Sequence, residues 1–206
     1  IDAEDAKWHC TAVFPSPIFA RIALLSAVIG CAGCASSPAG PRDSQDTDLT
    51  QLIVAEIAVA RNDLPQAARG YEAVTARSGD VALLERAARL AGDAQQPRIS
   101  LRIAQRWIGR APEAIAAYEI AGGAALQLHD LQRSSALLRR VLELEPGGQQ
   151  SGYRRVEEIL SSSDDVYAAR KVADALAAGN PDSAAALRFM AEAQANADDS
   201  SAAALN

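Results

Sequence analysis

Two closely spaced cysteines are the residues in this 206-residue chain with the clearest capacity for covalent chemistry. Cys31 and Cys34 form a Cys-Ala-Gly-Cys sequence, and two thiols at that spacing carry out redox chemistry when a βαβ pattern surrounds them. No βαβ pattern follows Cys34, so the redox interpretation is disfavoured. Two interpretations remain: the cysteines lie incidentally in a buried apolar helix, or one of them receives a lipid during export.

The residues before these cysteines favour export. Residues 22–30 are apolar and follow Arg21, but the run is shorter than the ~20 apolar residues that a membrane-spanning helix needs. A basic residue, a short apolar stretch and small residues at its end are typical of a secretory signal peptide. We therefore predict that residues 1–33 are a signal peptide with an upstream segment. Residues 34–47, rich in small and helix-breaking residues, are predicted to be a flexible tether.

The sequence Val28-Ile29-Gly30-Cys31 resembles a bacterial lipobox, the motif whose cysteine is lipidated. Cys31 is the preferred lipidation site, and Cys34 is the alternative. The acidic residues among 1–12 oppose the positive charge that begins a signal peptide. We therefore expect that translation begins downstream, with Val13 as a candidate start, or that the chain is a fragment.

Charge and composition argue against several other kinds of chemistry. The net charge is −6 and the basic residues are interleaved with acidic ones, so nucleic-acid binding is not expected. After Cys34 the chain has no cysteine and one histidine, His129, which argues against a histidine/cysteine metal site. The adjacent acids Glu157-Glu158 and Asp164-Asp165 diverge by about 100° on a helix. We predict no catalytic residue, no metal and no cofactor.

The residues from Asp48 onward predict a succession of short helices. Alanine and other apolar residues recur with helical spacing, and no alternating run of β-branched or aromatic residues predicts a strand. Asp63, Asp130 and Asp164 are placed to cap the second helix of a pair. The predicted helices cover residues 48–61, 64–77, 81–94, 97–110, 113–128, 131–144, 149–162, 164–179 and 182–196.

These helices pair with a regular period. Gly79, Pro112, Pro146 and Pro181 close successive pairs at spacings of 33, 34 and 35 residues. Small residues recur where the two helices of a pair must cross, so that the backbones can approach closely. They are Ala55, Ala88 and Gly122 on first helices, and Ala67, Ser100, Ser134 and Ala169 on second helices.

A helix–turn–helix period of about 34 residues, with small crossing residues and a closing proline, resembles the tetratricopeptide repeat family. The resemblance covers residues 48–206. It implies an all-α fold, a right-handed α-solenoid of antiparallel helical hairpins that is truncated in the fifth pair. Glu157 departs from the pattern, because it occupies a first-helix position that should hold a small residue.

The resemblance also implies where a partner would bind. In such arrays the first helix of each pair lines a concave groove that holds an extended peptide or a partner's helix. Six charged residues fall at groove-facing positions of this register, and their mixed charge is equally compatible with a solvated face. These residues are Glu56, Glu85, Arg89, Glu119, Arg154 and Glu158.

Taken together, the signal and the repeats resemble the tetratricopeptide-repeat lipoproteins of proteobacterial envelopes. This resemblance implies a non-enzymatic scaffold or adaptor that binds other proteins or peptides. It also implies a lipid anchor in the bacterial outer membrane, on the periplasmic face, with the periplasm or the cytoplasm as alternative locations. Two other functions stay open: the accessory repeat region of a longer envelope enzyme, and a cytoplasmic regulatory repeat protein with a misread start.

Overall fold

A computed structural model of the chain describes residues 41–203, and the side chains of residues 46–198 within that range. The described residues form helices joined by short turns, with no strand among them. The predicted signal segment, with Cys31 and Cys34, lies outside the described residues. The helices are α1 (Pro41–Ala60), α2 (Leu64–Thr75), α3 (Val81–Asp93), α4 (Pro97–Arg110), α5 (Ile115–Gln127), α6 (Leu131–Leu144), α7 (Gly148–Ser161), α8 (Val166–Ala177) and α9 (Ala184–Ala203).

The ends of α2 to α8 agree with the sequence prediction to within two residues. The start of α1 differs more, since the helix begins at Pro41 and takes in the last part of the predicted 34–47 tether. Proline is favoured at the first position of a helix, where its missing N–H has no intrahelical partner to lose. Residues 41–47 carry no apolar periodicity, so the pattern that locates the other helices gives no signal there.

Consecutive helices form antiparallel hairpins: α1/α2, α3/α4, α5/α6 and α7/α8, called hairpins 1 to 4 below. In hairpins 1 to 3 the first helix ends in the same way, with a residue in the left-handed conformation. These residues are Asn62 (φ 58°), Gln95 (φ 53°) and His129 (φ 58°). The next N–H in each case donates back to a helix carbonyl, as in a Schellman motif: Asp63 to Ala58, Gln96 to Ala91 and Asp130 to Ala125, at 2.9–3.0 Å.

Aspartate side chains cap the starts of several helices. Asp63 accepts a hydrogen bond from the Gln66 N–H, and Asp130 accepts one from the Arg133 N–H, as the sequence predicts. The prediction of Asp164 as the cap of α8 is wrong by one residue. Asp165 occupies that position and accepts from the Ala168 N–H at 2.9 Å. The turn of hairpin 4 is longer than the others, which shifts the cap.

Small residues lie at the hairpin crossings, as predicted. A Cβ placed on Gly70 of α2 would come within 2.8 Å of the Ala55 Cβ, so the two backbones of hairpin 1 are in near contact. In hairpins 2 and 3 a buried serine of the second helix donates to a carbonyl of the first. The bonds run from Ser100 to Ala88 at 3.1 Å and from Ser134 to Gly122 at 2.9 Å.

The buried side chains form two adjoining cores. One joins α1 to α5 around the fully buried Tyr71, Leu84 and Ile103. The other joins α5 to α9 around Leu138 and Val172. Because α5 contributes to both cores, the hairpins stack into one continuous array. The all-α solenoid of stacked hairpins is confirmed for the described residues.

Candidate binding cleft between α7 and α9

Glu56, the first of the predicted groove residues, belongs to a hydrogen-bonded group that joins three helices. Its carboxylate accepts a hydrogen bond from the buried Tyr71 hydroxyl of α2 and pairs with Arg86 of α3 at 2.7 Å. Arg86 Nε also donates to the Tyr71 hydroxyl oxygen at 2.7 Å. Burial, and after it the hydrogen bond to Glu56, raise the pKa of Tyr71 to about 12. This group therefore connects hairpin 1 to hairpin 2.

Three more of the predicted residues are also held by partners within the chain. Glu85 and Arg89 pair with each other on α3, with Nη2 and Oε1 2.9 Å apart. Glu119 of α5 accepts a hydrogen bond from Arg155 of α7 at 3.0 Å. The Nε of Arg155 lies 2.6 Å from the Glu145 carboxylate at the end of α6. One arginine of α7 is thus fastened to both helices of hairpin 3.

Glu145 is the buried end of this connection, since its side chain is only 5% exposed. Burial opposes ionisation of the carboxyl. Hydrogen bonds from the Gly147 N–H and the Ser151 hydroxyl, together with the charge of Arg155, outweigh burial and lower the pKa of Glu145. The ionised carboxylate therefore holds the start of α7 in place against hairpin 3.

Arg154 and Glu158 of α7 complete the predicted set. Both side chains are exposed, and neither forms an ion pair with a side chain that the structure describes. Arg154 lines a cleft between α7 and α9, whereas Glu158 is not among the residues that line it. The structure does not bring the six predicted residues together at one site. Four are engaged within the chain, and Arg154 lies at the cleft.

The cleft between α7 and α9 has a volume of about 490 Å³. Its apolar lining includes the buried rings of Tyr153 and Phe189, whose centroids are 5.1 Å apart. Its polar and charged lining residues come from both helices: Gln150, Ser151, Arg154 and Glu157 from α7, and Arg188 and Glu192 from α9. Arg188, Phe189 and Glu192 were not predicted as site residues.

Glu157 lies where this part of the array is most open. In the sequence register Glu157 corresponds to Ala55, Ala88 and Gly122 of hairpins 1 to 3, and in the structure its side chain lines clefts beside α8 and α9. In this hairpin α7 contacts α8 less extensively than the first helix contacts the second in the other hairpins. A second cleft of about 350 Å³, lined by Glu157 and by residues of α8 and α9, lies beside the first.

The carboxyl group of Glu157 is electrostatically strained. Burial, the neighbouring charge of Glu192 and a hydrogen bond with that carboxyl raise the pKa of Glu157 above its ordinary value of 4.5, and Glu158 adds to the effect. A like charge that faces Glu157 across a partly buried cleft disfavours ionisation of the Glu157 carboxyl. A cation placed between them would relieve this repulsion.

Within the described residues, no three His, Cys, Asp or Glu side chains are grouped so that they could hold a metal ion. His129 Nδ1 lies 3.3 Å from an oxygen of Asp165, on the turns of hairpins 3 and 4, where the imidazole is largely exposed. None of the helices from α1 to α9 is long and apolar enough to cross a membrane.

No protein-family model matches the chain, and no curated protein matches it. Solved structures of similar fold include a crystal structure of MamA protein, which is 17% identical and has a TM-score of 0.46. The matched region covers 72% of this chain and 81% of that one. YrrB, described as a TPR protein with an unusual peptide-binding site, is 16% identical over 71% of this chain and 76% of its own, with a TM-score of 0.45.

The hairpins of the described chain repeat with a regular geometry. Paired helices of 12–14 residues recur from α2 to α8, the closing residues are spaced by 33–35 positions, and each first helix contacts both the helix before it and the helix after it. Small residues lie at the crossings in hairpins 1 to 3. The described part of the chain is therefore an array of antiparallel helical hairpins with a period of 33–35 residues.

Proposed function

We propose that this protein is a non-enzymatic adaptor that binds an extended segment of another protein in the cleft between α7 and α9. The observation that carries the proposal is the cleft itself, with buried aromatic rings and charged residues of both signs. Pockets that combine an apolar lining with a few convergent polar groups are the usual form of a binding site. Hairpins 1 to 3 are closely packed, and ion pairs join hairpin 1 to hairpin 2, so these hairpins provide the rigid support.

A photoactivatable amino acid placed in the cleft tests this proposal. Gln150 lines the cleft and is exposed, so a crosslinker there should form a covalent product with a partner protein in the native cell. The matched control is Gln105, which is exposed on α4, away from the cleft. Ala185→Trp, which fills the cleft, should abolish the product, and Ala82→Trp on the exposed surface of α3 should not. Equal products from both crosslinker positions, or no effect of Ala185→Trp, would refute binding in the cleft.

We further propose that the adaptor acts in the bacterial cell envelope, anchored by a lipid on Cys31 or Cys34. The support is the sequence: an apolar stretch after Arg21, small residues, and a cysteine in a lipobox-like context. The cell should incorporate radiolabelled palmitate into the wild-type protein, and Cys31→Ala or Cys34→Ala should lose the label. A wild-type protein that takes up no label, or whose mature form retains residues 1–30, contradicts this part of the proposal.

A further inference from the structure

We propose that the α7–α9 cleft selects an extended peptide in which an acidic and a basic side chain are two residues apart. This inference rests on the proposed function, and it specifies the chemistry of the segment that binds. It follows from the order in which the charged residues of the cleft are arranged along the two helices.

The two helices that form the cleft run parallel and in register. Near their starts, the Ser183 hydroxyl donates to the side-chain oxygen of Gln149 at 2.8 Å. Two turns further along, Glu157 and Glu192 both line the cleft, where the charge of Glu192 contributes to the raised pKa of Glu157. Ser183 and Gln149 are 34 residues apart in the sequence, and Glu192 and Glu157 are 35 apart. Residues of α7 and α9 that are separated by 34 or 35 positions therefore lie opposite each other.

This register places like charges opposite each other in two layers. Arg154 of α7 and Arg188 of α9 are 34 residues apart and both line the cleft, which forms an arginine layer. Glu157 and Glu192 form a carboxyl layer. The two layers are three residues apart on α7 and four on α9, which corresponds to roughly 4.5–6 Å along the helix axes.

The charges of the arginine layer are available to a ligand. Neither Arg154 nor Arg188 has an ion-pair partner among the described side chains. Each is followed four residues later by a glutamate, Glu158 or Glu192, and this spacing allows ion pairs on a helix. Both arginine side chains are exposed. Because each layer brings like charges together, an anion at the arginine layer and a cation at the carboxyl layer would each gain two opposite charges.

An extended peptide strand matches this spacing. Residues i and i+2 of a strand point to the same side and are about 6.6 Å apart, close to the separation of the two layers. A strand with an acidic residue at i and a basic residue at i+2 would place one side chain in each layer. Two acidic or two basic residues would satisfy one layer and meet repulsion at the other. The buried rings of Tyr153 and Phe189 offer apolar contact to the side chains between the layers.

Peptide binding to the full chain tests this pairing of charges. Four nine-residue peptides differ only in their central three residues: Asp-Val-Lys, Asp-Val-Asp, Lys-Val-Lys and Ala-Val-Ala. Calorimetry should show that Asp-Val-Lys binds about tenfold more tightly than each of the others, a difference of about 1.4 kcal/mol. Equal affinity for all four peptides would overturn the charge selection. If Ala185→Trp nevertheless abolishes peptide binding, the proposed function remains intact.

Charge reversal provides a second readout. The double variant Arg154→Glu with Arg188→Glu makes both layers acidic, so its preference should move to Lys-Val-Lys. The matched control, Arg69→Glu with Arg98→Glu, changes two exposed arginines of second helices by the same charge and should keep the wild-type preference. Circular dichroism verifies that both variants fold. An unchanged preference in the cleft variant refutes the inference. If the protein binds none of the peptides and a crosslinker at Gln150 gives no product, the proposed function is refuted as well.

Discussion

Hairpins 1 to 3 and hairpin 4 have the same period but differ in what lies at the helix crossing. In the first three, Ala55, Ala88 and Gly122 allow close contact between helices. In hairpin 4 the crossing position holds Glu157, and clefts open on both sides of this residue. Hairpin 4 therefore differs from the others both in this large polar residue and in the tightness of its packing.

The two regions also differ in how their charges are used. In hairpins 1 and 2 the carboxylates of Glu56 and Glu85 are paired with arginines of α3. In the α7–α9 cleft, like charges face each other and opposite charges are not paired. This difference underlies the proposed division of roles, in which hairpins 1 to 3 support the structure and hairpin 4 with α9 binds the partner.

Adding volume at the crossing position should have opposite effects in the two regions. A Cβ on Gly122 would lie 2.6 Å from Leu138 Cδ2, so Gly122→Leu should lower the free energy of unfolding by about 2–3 kcal/mol. Glu157→Leu should leave it unchanged or raise it, because the position borders open clefts and loses a strained carboxyl group. Thermal unfolding of both variants measures the difference, and equal destabilisation would mean that the two crossings are alike.

Gly109→Ala is the control for the glycine substitution. No atom lies within 4 Å of a Cβ built at that position, and alanine is favoured over glycine inside a helix by up to about 1 kcal/mol. This variant should therefore be as stable as the wild type or more stable. If it is destabilised to the extent of Gly122→Leu, the effect at Gly122 does not come from the crossing.

The group formed by Glu56, Tyr71 and Arg86 should matter more than an exposed ion pair. Tyr71→Phe removes a buried hydroxyl that donates to Glu56 and accepts from Arg86. Hydrogen bonds to charged partners contribute about 1.5–3 kcal/mol each to stability. Because Glu56 and Arg86 still pair directly in the variant, we expect the free energy of unfolding to fall by about 1–2 kcal/mol. Chemical denaturation measures it. A loss within error of zero would show that this group does not couple hairpins 1 and 2.

The helix caps test the corrected boundary of hairpin 4. Asp63→Ala, Asp130→Ala and Asp165→Ala should each lower stability by about 1 kcal/mol, because each removes an acceptor for a backbone N–H at a helix start. Asp164→Ala should change stability by less than about 0.5 kcal/mol, as an exposed residue outside a cap. Denaturation midpoints distinguish the two positions, and a larger loss at Asp164 would restore the boundary that the sequence predicts.

The pH dependence of stability should differ in sign between Glu145 and Glu157. The folded-state pKa of Glu145 is lowered, so its stabilisation is present above the unfolded-state pKa and is lost as the pH falls through the folded value. The folded-state pKa of Glu157 is raised, so its ionisation destabilises the fold as the pH rises through that value. Glu145→Gln should therefore be less stable than the wild type at pH 7, and Glu157→Gln more stable.

The difference in stability between each of these two variants and the wild type should shrink as the pH falls below about 4, where an ordinary carboxyl is protonated in the unfolded chain. Thermal unfolding of the two variants from pH 3 to pH 7 measures them. Curves parallel to the wild type for both variants would show that neither carboxyl has a shifted pKa.

The helices were predictable because apolar spacing, glycine, proline and aspartate mark their ends locally. The start of α1 was not, since residues 41–47 have no apolar periodicity. The cap of α8 was displaced because both Asp164 and Asp165 can serve as caps, and only the longer turn of hairpin 4 decides between them. Local sequence determines which helices form, and the exact ends depend on the turns between them.

The binding cleft was predictable only in part. The departure of Glu157 from the small-residue pattern was visible in the sequence, and it marks where the array opens. That the charged residues of α9 face those of α7 depends on how closely α7 and α8 approach, which the sequence pattern does not give. The signal that could have located Arg188 and Glu192 is their offset of 34–35 residues from Arg154 and Glu157.

Amide hydrogen exchange with and without bound Asp-Val-Lys peptide tests most directly whether binding is confined to hairpin 4 and α9. At saturating peptide, we predict increased protection in residues 148–161 and 184–198, with no change in α1 and α3. Protection that appears mainly in α1 and α3 would contradict the account, because it would place the binding surface on the closely packed hairpins.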